Sequence, residues 1–496
     1  LALDGFKQLA RKYAVKERME GVTTDDIIAA NRKINSFSNQ LLNDPVRPIF
    51  SASGLPSQLN EWQKPVSAFS PHESSLSLNL KLKLGNFDIT DADWKRGTMI
   101  VDVIMELMLK EMKAEATASF EGLILDGFLK QGSARDGLKI KAANEFDMLL
   151  KYYITDMDIA IVPMSSPGLA KLLVRNNEAN LKMRFPRWLA KKVIVKCGNS
   201  FYLSSRRLHE YVFESIIDKS REKISSLIKG PLLRGKVAFN LTRRMNPPSV
   251  SLLITLGQMS QTVSSAVILY HRTSPSPFPD IEIDIVPGME VQGESELKHY
   301  VVLKWVDDNQ NQIALFDTPS MVWRICTSAY EKYNIDIARK HTGKRYIMTA
   351  CRIVKAYMST QKEIGKSGIP PLPISTFMRS YFLKNIAFYC FHYRGDVPGV
   401  KDALGCFLGF LNVCLEEGHL PQYFIGNHLL RSSFPSCSEG ARFDLFRNAA
   451  PETMINARRD MPFVLSFFEG MYEKREFSSQ ICERFREYIR MGDYPE

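Results

Sequence analysis

The sequence lacks any run of about 18 uncharged apolar residues, and its first twenty residues, LALDGFKQLARKYAVKERME, show no signal-peptide pattern. It also lacks a CxxC pair. The eight cysteines are scattered, and most of them stand in apolar helical runs. These absences argue against a membrane span and against a disulfide or zinc framework. We therefore expect a soluble, cytoplasmic protein with buried free thiols and no membrane partner.

Length and positive charge are what the sequence does have. At 496 residues the chain should divide into two or three packed units. Its net charge of +11 is concentrated in residues 171–250, where 18 Lys and Arg stand against five acids, a local net charge of +13. Such a surface can exchange condensed counterions for phosphate contacts and so suits a nucleic acid. Solvated helix faces are the alternative interpretation.

The order of the patterns predicts an α+β fold. Residues 3–42 resemble one or two amphipathic helices, and residues 51–77 form a Ser/Pro-rich linker. Apolar residues recur at three and four positions over 94–112, which predicts a long helix that runs straight towards Gly132 and Ser133. The other expected elements are strands at 137–140, 145–154, 248–257 and 280–291, a helix at 201–228, and helices from about 320 to the end.

Two acidic strands suggest a site. Alternation places Glu145 and Asp147 on one face of their strand and directs Phe146 into the core, and DIEIDI (280–285) repeats this pattern around Asp284. If the strands are neighbours, a third carboxylate meets the first two. Three close carboxylates repel one another unless a cation neutralises them, and Mg²⁺ or Mn²⁺ prefers oxygen ligands. An acidic solvent face on an edge strand is the alternative.

A glycine-serine turn precedes the acidic pair in GSARDGLKIKAANEFD, residues 132–147. Backbone N–H groups without a bulky side chain, together with a hydroxyl, allow the close approach that a triphosphate needs. Turn, acidic pair and distant third acid together favour a nucleotide site over an acidic surface.

GS, a short variable stretch and NEFD, followed by a later [IV]-D-[IL] strand, resemble the nucleotidyltransferase signature of cyclic GMP-AMP synthase and the animal cGAS-like receptors. PPSVSLLI, WRICTSAYEK, YIMTACRIVKAYM, RSYFLKN and LPQYFIGNHLL occur in the family's order, so the similarity covers about residues 92–450. The resemblance implies a bilobal nucleotidyltransferase fold with a mixed β-sheet core, a long spine helix and a C-terminal helical-bundle lobe. The expected units are an N-terminal helical appendage with its linker (1–90), the core (91–320) and the helical lobe (321–496).

The resemblance also implies roles for particular residues. Glu145, Asp147 and Asp284 would be catalytic and would hold two Mg²⁺ or Mn²⁺ ions. The other implied nucleotide contacts are Gly132, Ser133, Arg324, Ser328, Glu331, Lys355, Ser380 and Tyr381. Among these, Tyr381 would stack on a nucleobase, Arg324 would contact a base and Lys355 a phosphate. Without the family context, the favoured interpretations are a salt bridge between lobes for Arg324, a core position for Tyr381 and a solvated helix position for Lys355.

The activity that the resemblance implies is that of a ligand-activated innate immune sensor, which makes a cyclic dinucleotide from two nucleoside triphosphates such as ATP and GTP. Its activator would be double-stranded RNA or another nucleic acid, bound along the long helix and an adjacent basic face, with ligand-induced oligomerisation as a further expectation. The implied contacts are Lys95, Arg96, Lys110, Lys113, Arg184, Arg187, Lys191, Lys192, Arg206 and Arg207.

A departure from the family pattern bears on zinc. Where cyclic GMP-AMP synthase has a zinc-binding insertion, this chain offers only His341 and Cys351, and a structural zinc site needs four ligands. We therefore predict no zinc. Two other classes stay open: a catalytically silent binding scaffold of the same superfamily, and an enzyme that resembles oligoadenylate synthase and makes a linear product.

Overall fold

The structure is a computed structural model that describes residues 25, 29, 60–229, 239–256, 279–291, 299–305, 319–430, 440–492 and 494. These residues form a mixed sheet with a long helix, followed by a lobe of helices, so the predicted α+β class is confirmed. The helices expected over 3–42 and the first part of the predicted linker lie outside the described residues, apart from residues 25 and 29, which are helical.

Within residues 60–122, two helices precede the sheet. Helix α1 (Ser74–Leu84) buries Leu76, Leu80 and Leu84, which lie on one face at a spacing of four residues. Helix α2 (Asp91–Ser119) begins where the Thr90 hydroxyl accepts a hydrogen bond from the backbone N–H of Asp93 at 3.1 Å. It is the long helix predicted from the apolar spacing. Its 29 residues extend about 43 Å at 1.5 Å per residue.

All eleven strands of the described chain belong to one sheet. Its main path runs β1-β2-β9-β10-β11-β4-β6-β5, while β3 pairs with β4, and β8 pairs with β7 and β9. Strands β2 and β9 are parallel, and the other pairs are antiparallel. The bounds are β1 (Leu123–Gln131), β2 (Glu145–Ile154), β3 (Ile159–Pro163), β4 (Leu169–Val174), β5 (Ile194–Cys197), β6 (Ser200–Leu203), β7 (Phe239–Asn246), β8 (Ser249–Leu256), β9 (Ile281–Val291), β10 (His299–Leu303) and β11 (Trp323–Cys326).

Three predictions about elements are corrected. Residues 137–140 do not form a strand but an irregular connection. The long helix does not reach the glycine-serine turn, because β1 stands between them and leads into the turn. The helix expected from residue 201 begins only at Ser205, because the residues before it pair with two neighbouring strands as β6.

The remaining helices lie on the sheet or build the C-terminal lobe. Beside the sheet are α4 (Glu178–Arg184), α5 (Pro186–Ala190), α6 (Ser205–Leu208), a π-helical turn (His209–Phe213) and α7 (Glu214–Lys229), while α3 (Gly132–Arg135) is the short helix of the turn. The lobe comprises α8 (Ser328–Lys340), α9 (Thr342–Gly365), α10 (Pro373–Phe377), α11 (Ser380–Tyr393), α12 (Val400–Glu417), α13 (Pro451–Phe467), α14 (Lys474–Phe477) and α15 (Gln480–Arg490).

The described residues form two large hydrophobic cores. One lies between the sheet and α2, and the other fills the helical lobe. Leu76, Leu80 and Leu84 of α1 belong to the core of the helical lobe, although α1 precedes the sheet in the chain. Of the helices in the described ranges, none has both the length and the apolar content that crossing a membrane requires.

Candidate active site

The three predicted carboxylates stand on two neighbouring parallel strands. In the register of β2 and β9, Asp147 is the partner of Asp284, and Glu145 is the partner of Glu282. Phe146, between the two acids of β2, is fully buried against the core, as the alternation predicts. The condition on which the sequence argument depended, that the two acidic strands are neighbours, is therefore met.

Asp147 is the carboxylate whose pKa this arrangement raises. Burial, together with the negative charges of Glu145 and Asp284, raises the pKa of its carboxyl to about 6. Lys139 and Lys384 act in the opposite direction but do not outweigh them. The site therefore concentrates negative charge around Asp147, and a bound cation would relieve it.

The other two carboxylates are each held by a partner. Lys139 Nζ donates to Glu145 Oε2 at 2.5 Å, and its charge is the main reason why the pKa of Glu145 is lowered. The Ser251 hydroxyl, on the adjacent β8, donates to Asp284 Oδ1. Within the described part of the chain, no three His, Cys, Asp or Glu side chains are gathered so that they could hold a metal ion as they stand. The donor set suits a hard divalent ion, but a metal would have to draw Glu145 away from Lys139.

The glycine-serine turn packs directly against the carboxylates. Gly132 has a φ of +69°, and a Cβ at this position would lie 1.7 Å from Asp147 Oδ2. Only glycine therefore fits here, both for the backbone conformation and for the space. Ser133 follows at the start of α3. The turn and the acidic strand end thus form one local unit.

Turn, strand end and helical lobe enclose a cleft of about 540 Å³. Seven of the predicted site residues line it: Gly132, Ser133, Glu145, Asp147, Lys355, Ser380 and Tyr381. Five lysines line it as well, against three carboxylates, and these are Lys139, Lys141, Lys355, Lys362 and Lys384. A cleft with this excess of ammonium groups beside a glycine-serine turn has the charge and the small-residue surface that a triphosphate requires.

Lys355 points to the carboxylate end of this cleft. Its ammonium donates to the backbone carbonyl of Leu138 at 3.3 Å. Burial, together with the nearby charge of Lys139, lowers the pKa of Lys355 to about 8. The residue is thus half-buried in the site and is not the solvated helix residue of the alternative interpretation.

Tyr381 lies at the start of α11 with 37% of its surface exposed to the cleft side of the lobe. Its hydroxyl donates to Glu331 Oε1 at 3.0 Å and accepts from Gln422 Nε2 at 3.0 Å. Lys384 Nζ lies 5.3 Å from the ring centroid. These contacts fix the ring and leave a face accessible, which is the arrangement that stacking on a nucleobase requires.

Glu331 supports Tyr381 from beneath and does not line the cleft. It is buried, and its carboxylate accepts from Lys384 Nζ at 2.5 Å and from the Thr327 hydroxyl at 2.7 Å. Burial alone would raise the pKa of Glu331, but the charge of Lys384 and these hydrogen bonds lower it.

The two other predicted base-side residues stand on β11, an interior strand of the sheet, and at the start of α8, which follows it. Arg324 is exposed on β11, and Ser328 accepts a hydrogen bond from Gln131 Nε2 at 3.0 Å. Cys326 lies between them with its sulfur 3.2 Å from the Ser328 hydroxyl. Neither Arg324 nor Ser328 lines the cleft, so their contact with a nucleotide stays a prediction.

A basic surface covers the end of α2 and the short helices beside it. The Arg187 guanidinium donates to the carbonyl of Ala118, and Trp188 packs edge-on against Phe120, so α5 is attached to the end of α2. The Tyr211 ring in turn contacts both Lys191 and Arg207. These contacts bring Arg187, Lys191 and Arg207 to one region beside the C-terminal end of α2. The other predicted cations are Lys110 and Lys113 on α2, Arg184 on α4, Lys192 after α5 and Arg206 on α6.

Several of these cations are already paired. Arg184 pairs with Asp156, Arg187 with Glu121, and Arg206 with Glu210. At the other end of α2, Arg96 is buried and pairs with Asp93, which leaves it little surface for a phosphate. Lys95 is exposed but lies about 27 Å from Lys113 along the helix, at 1.5 Å per residue.

Lys139 and Lys384 are the site residues that the sequence argument missed. Lys139 was part of a basic stretch between turn and acidic pair, and its spacing to Glu145 gave no sign of an ion pair. Lys384 belongs to the motif RSYFLKN, but nothing in the sequence indicates that its ammonium is buried between Asp136 and Glu331. Both sit in positions that only the fold brings together.

Comparison with known families agrees with this geometry. Residues 134–335 match the family described as the Mab-21 protein nucleotidyltransferase domain. The matched segment contains Glu145, Asp147 and Asp284, begins immediately after Ser133 and ends before Tyr381. It supports nucleotidyl transfer with nucleoside triphosphate substrates as the activity of this part of the chain, in a superfamily that typically uses divalent metal ions. No curated protein matches the chain.

Proposed function

We propose that this protein is a ligand-activated innate immune sensor that joins two nucleoside triphosphates, ATP and/or GTP, into a cyclic dinucleotide second messenger. The observation that carries the proposal is the meeting of three features in one cleft. These are the Gly132–Ser133 turn, the carboxylate of Asp147 opposite Asp284, and the supported ring of Tyr381.

In this proposal the turn and the lysines bind the triphosphate tail. Ser133 and the backbone around Gly132 grip the phosphates, and Lys355 neutralises part of their charge from the helical lobe. Glu145, Asp147 and Asp284 would hold Mg²⁺ or Mn²⁺, which supplies Lewis-acid stabilisation of the charge that develops on phosphate oxygens. Although burial and its neighbours raise the pKa of Asp147 to about 6, this carboxylate is still mostly ionised at neutral pH and available as a ligand.

Two transfers complete the product. The ribose hydroxyl of one nucleotide attacks the α-phosphate of the other, a new ester bond forms, and pyrophosphate leaves. The linear intermediate then turns over in the cleft, and its second triphosphate loses pyrophosphate in the same way as the ring closes. Tyr381 holds a base during both steps through stacking. Arg324 on β11 and Ser328 at the start of α8 are proposed to contact the bases.

Double-stranded RNA is the proposed activator. Duplex RNA is recognised through phosphates, 2′-hydroxyls and groove shape, so a basic surface suffices without base-reading side chains. Exposed Lys110, Lys113, Lys191 and Lys192 supply such a surface beside the end of α2. In this proposal the protein binds no structural zinc.

One experiment separates the proposal from its two alternatives. The full chain is incubated with four labelled triphosphates, Mg²⁺ or Mn²⁺, and duplex RNA or DNA, and the products are treated with phosphatase. A phosphatase-resistant dinucleotide supports the proposal. A ladder of linear oligomers would indicate an enzyme that resembles oligoadenylate synthase, and the absence of product under every condition would favour a silent scaffold.

Two variants show whether the product comes from this cleft. Asp147→Asn should abolish the product, because it removes a ligand charge without changing shape. Asp126→Asn is the matched control, since Asp126 is an exposed carboxylate on β1 that pairs with Lys151 away from the cleft lining. Product that survives Asp147→Asn would refute the proposed site.

A further inference from the structure

The residues around the glycine-serine turn make a series of contacts with the helical lobe. Before the turn, Gln131 Nε2 donates to the Ser328 hydroxyl at 3.0 Å. After it, the two terminal nitrogens of Arg135 donate to the two carboxylate oxygens of Asp336 at 3.1 and 2.9 Å. Arg135 is fully buried, although it follows the turn by only two residues. The turn is therefore attached to α8 at both ends.

A second buried pair follows in the next residue. Lys384 Nζ, on α11, donates to Asp136 Oδ2 at 2.9 Å, and Asp136 is only 1% exposed. Arg135 and Asp136 thus direct opposite charges towards two different helices of the lobe. A charge buried to this degree is stable only beside its partner, so each pair fixes where the backbone can lie.

The short helix α3 transmits this constraint to the turn. The backbone N–H of Asp136 donates to the Gly132 carbonyl at 3.0 Å, and that of Leu138 donates to the Ser133 carbonyl at 2.9 Å. On the other side, the bare Cα of Gly132 faces the Asp147 carboxylate with no room for a Cβ. Placing residue 135 therefore places Gly132 and Ser133 relative to the acidic strand.

We propose that Arg135 and Asp336 are positioning residues that hold the Gly132–Ser133 turn against Asp147. The inference rests on the proposed function in that the turn is taken to be the phosphate grip. It adds that two residues outside the cleft lining set where the grip lies.

Hydrogen exchange of the full chain, measured with and without duplex RNA, tests this directly. We expect the amides of residues 132–138 to be protected in the wild type in at least one of the two conditions. In that condition, Arg135→Met and Asp336→Asn should speed their exchange at least tenfold while β2 stays protected. Fast exchange of this segment in the wild type under both conditions, or unchanged exchange in both variants, would overturn the proposal.

The double variant Arg135→Met with Asp336→Leu guards against a trivial loss of folding, because replacing both partners of a buried ion pair with apolar groups often preserves stability. It should melt close to the wild type and still show fast exchange at the turn. Arg394→Met is the matched control, since Arg394 pairs with Glu476 within the helical lobe. It should leave the exchange of the turn unchanged. Wild-type protection at the turn in the folded double variant would refute a positioning role.

Kinetics give a second readout. A misplaced grip should raise KM for the triphosphates about tenfold or more in Arg135→Met, with a smaller change in kcat, whereas Arg394→Met should change neither. A loss of kcat in Arg135→Met with no change in KM would contradict the inference. If the wild type makes no product with any ligand, the proposed function fails while the exchange data still decide whether the turn is held.

Discussion

Replacing Asp147 with asparagine should stabilise the protein at neutral pH while it removes activity. In the folded chain the pKa of this carboxyl is raised to about 6 from its ordinary 3.8, through burial and the charges of Glu145 and Asp284. The folded state therefore binds the proton more tightly than the unfolded state does. Ionisation of Asp147 destabilises the fold, and asparagine, which has nearly the same shape, avoids that cost.

The size of the effect follows from the shift. A difference of about two pKa units at 1.36 kcal/mol each corresponds to about 3 kcal/mol. This cost is absent below about pH 4, grows as pH rises from about 4 to 6, and is fully present above it. We therefore expect Asp147→Asn to gain about 1 to 3 kcal/mol at pH 7.5 and nothing near pH 4.

Thermal melting of both proteins from pH 4 to 8, with EDTA present, measures the gain. About 2 to 4 °C per kcal/mol is expected for a lobe of 150–250 residues. Asp126→Asn, which removes an exposed ion pair with Lys151, should show no gain. Added Mg²⁺ should stabilise the wild type more than the variant. An Asp147→Asn protein that melts at or below the wild-type temperature at pH 7.5 would refute the electrostatic reasoning.

Three further predictions concern the cleft and the basic surface. Gly132→Ala should lose at least about 100-fold in kcat/KM, because its Cβ would collide with Asp147 Oδ2 and its φ is positive; wild-type turnover would contradict the packing described for the turn. In calorimetric titrations with a triphosphate, Tyr381→Phe should bind within about threefold of the wild type, whereas Tyr381→Ala should lose the roughly 1 to 3 kcal/mol typical of a stacked base. Equal affinities for the two would exclude stacking. Lys113→Glu combined with Lys192→Glu should weaken duplex RNA binding and reduce the slope of log K against log salt by about 1.8, at 0.9 per lost phosphate contact; an unchanged slope would place the RNA elsewhere.

The helices and strands that the sequence predicts correctly are those whose residue pattern fits only one type of secondary structure. Helix α2 shows its apolar spacing over many turns, and β2 and β9 alternate through their acidic first halves, EFDM and IEIDI. Strand β1 is absent from the predicted strands, because the pair Asp126–Gly127 inside it is typical of a turn. In the structure Gly127 instead occupies a register shift between β1 and β2, with a φ of +147°. A bulge and a turn use the same residues, and only strand pairing separates them.

Helix α1 shows a second limit. Its sequence SSLSLNLKLKL has a leucine at every second position, which suits a strand. Alternate leucines of this segment are four residues apart and therefore also share one face of a helix. Leu76, Leu80 and Leu84 can thus be buried while Leu78 and Leu82 stay 59% and 75% exposed. The core of the helical lobe supplies the surface that decides between the two. No property of the segment itself could do so.

The charges that hold the site together were the least accessible to sequence reasoning. Arg135 and Asp136 stand in a polar, glycine-containing stretch, where charged residues are normally solvated. Their partners lie 201 and 248 residues further on. Lys384 then extends the connection, because its ammonium binds Asp136 and Glu331 together, and Glu331 accepts the hydroxyl proton of Tyr381. The turn proposed to grip phosphate and the ring proposed to stack on a base are thus joined through one buried ammonium group. A shift of α11 would therefore move both ends of the cleft together.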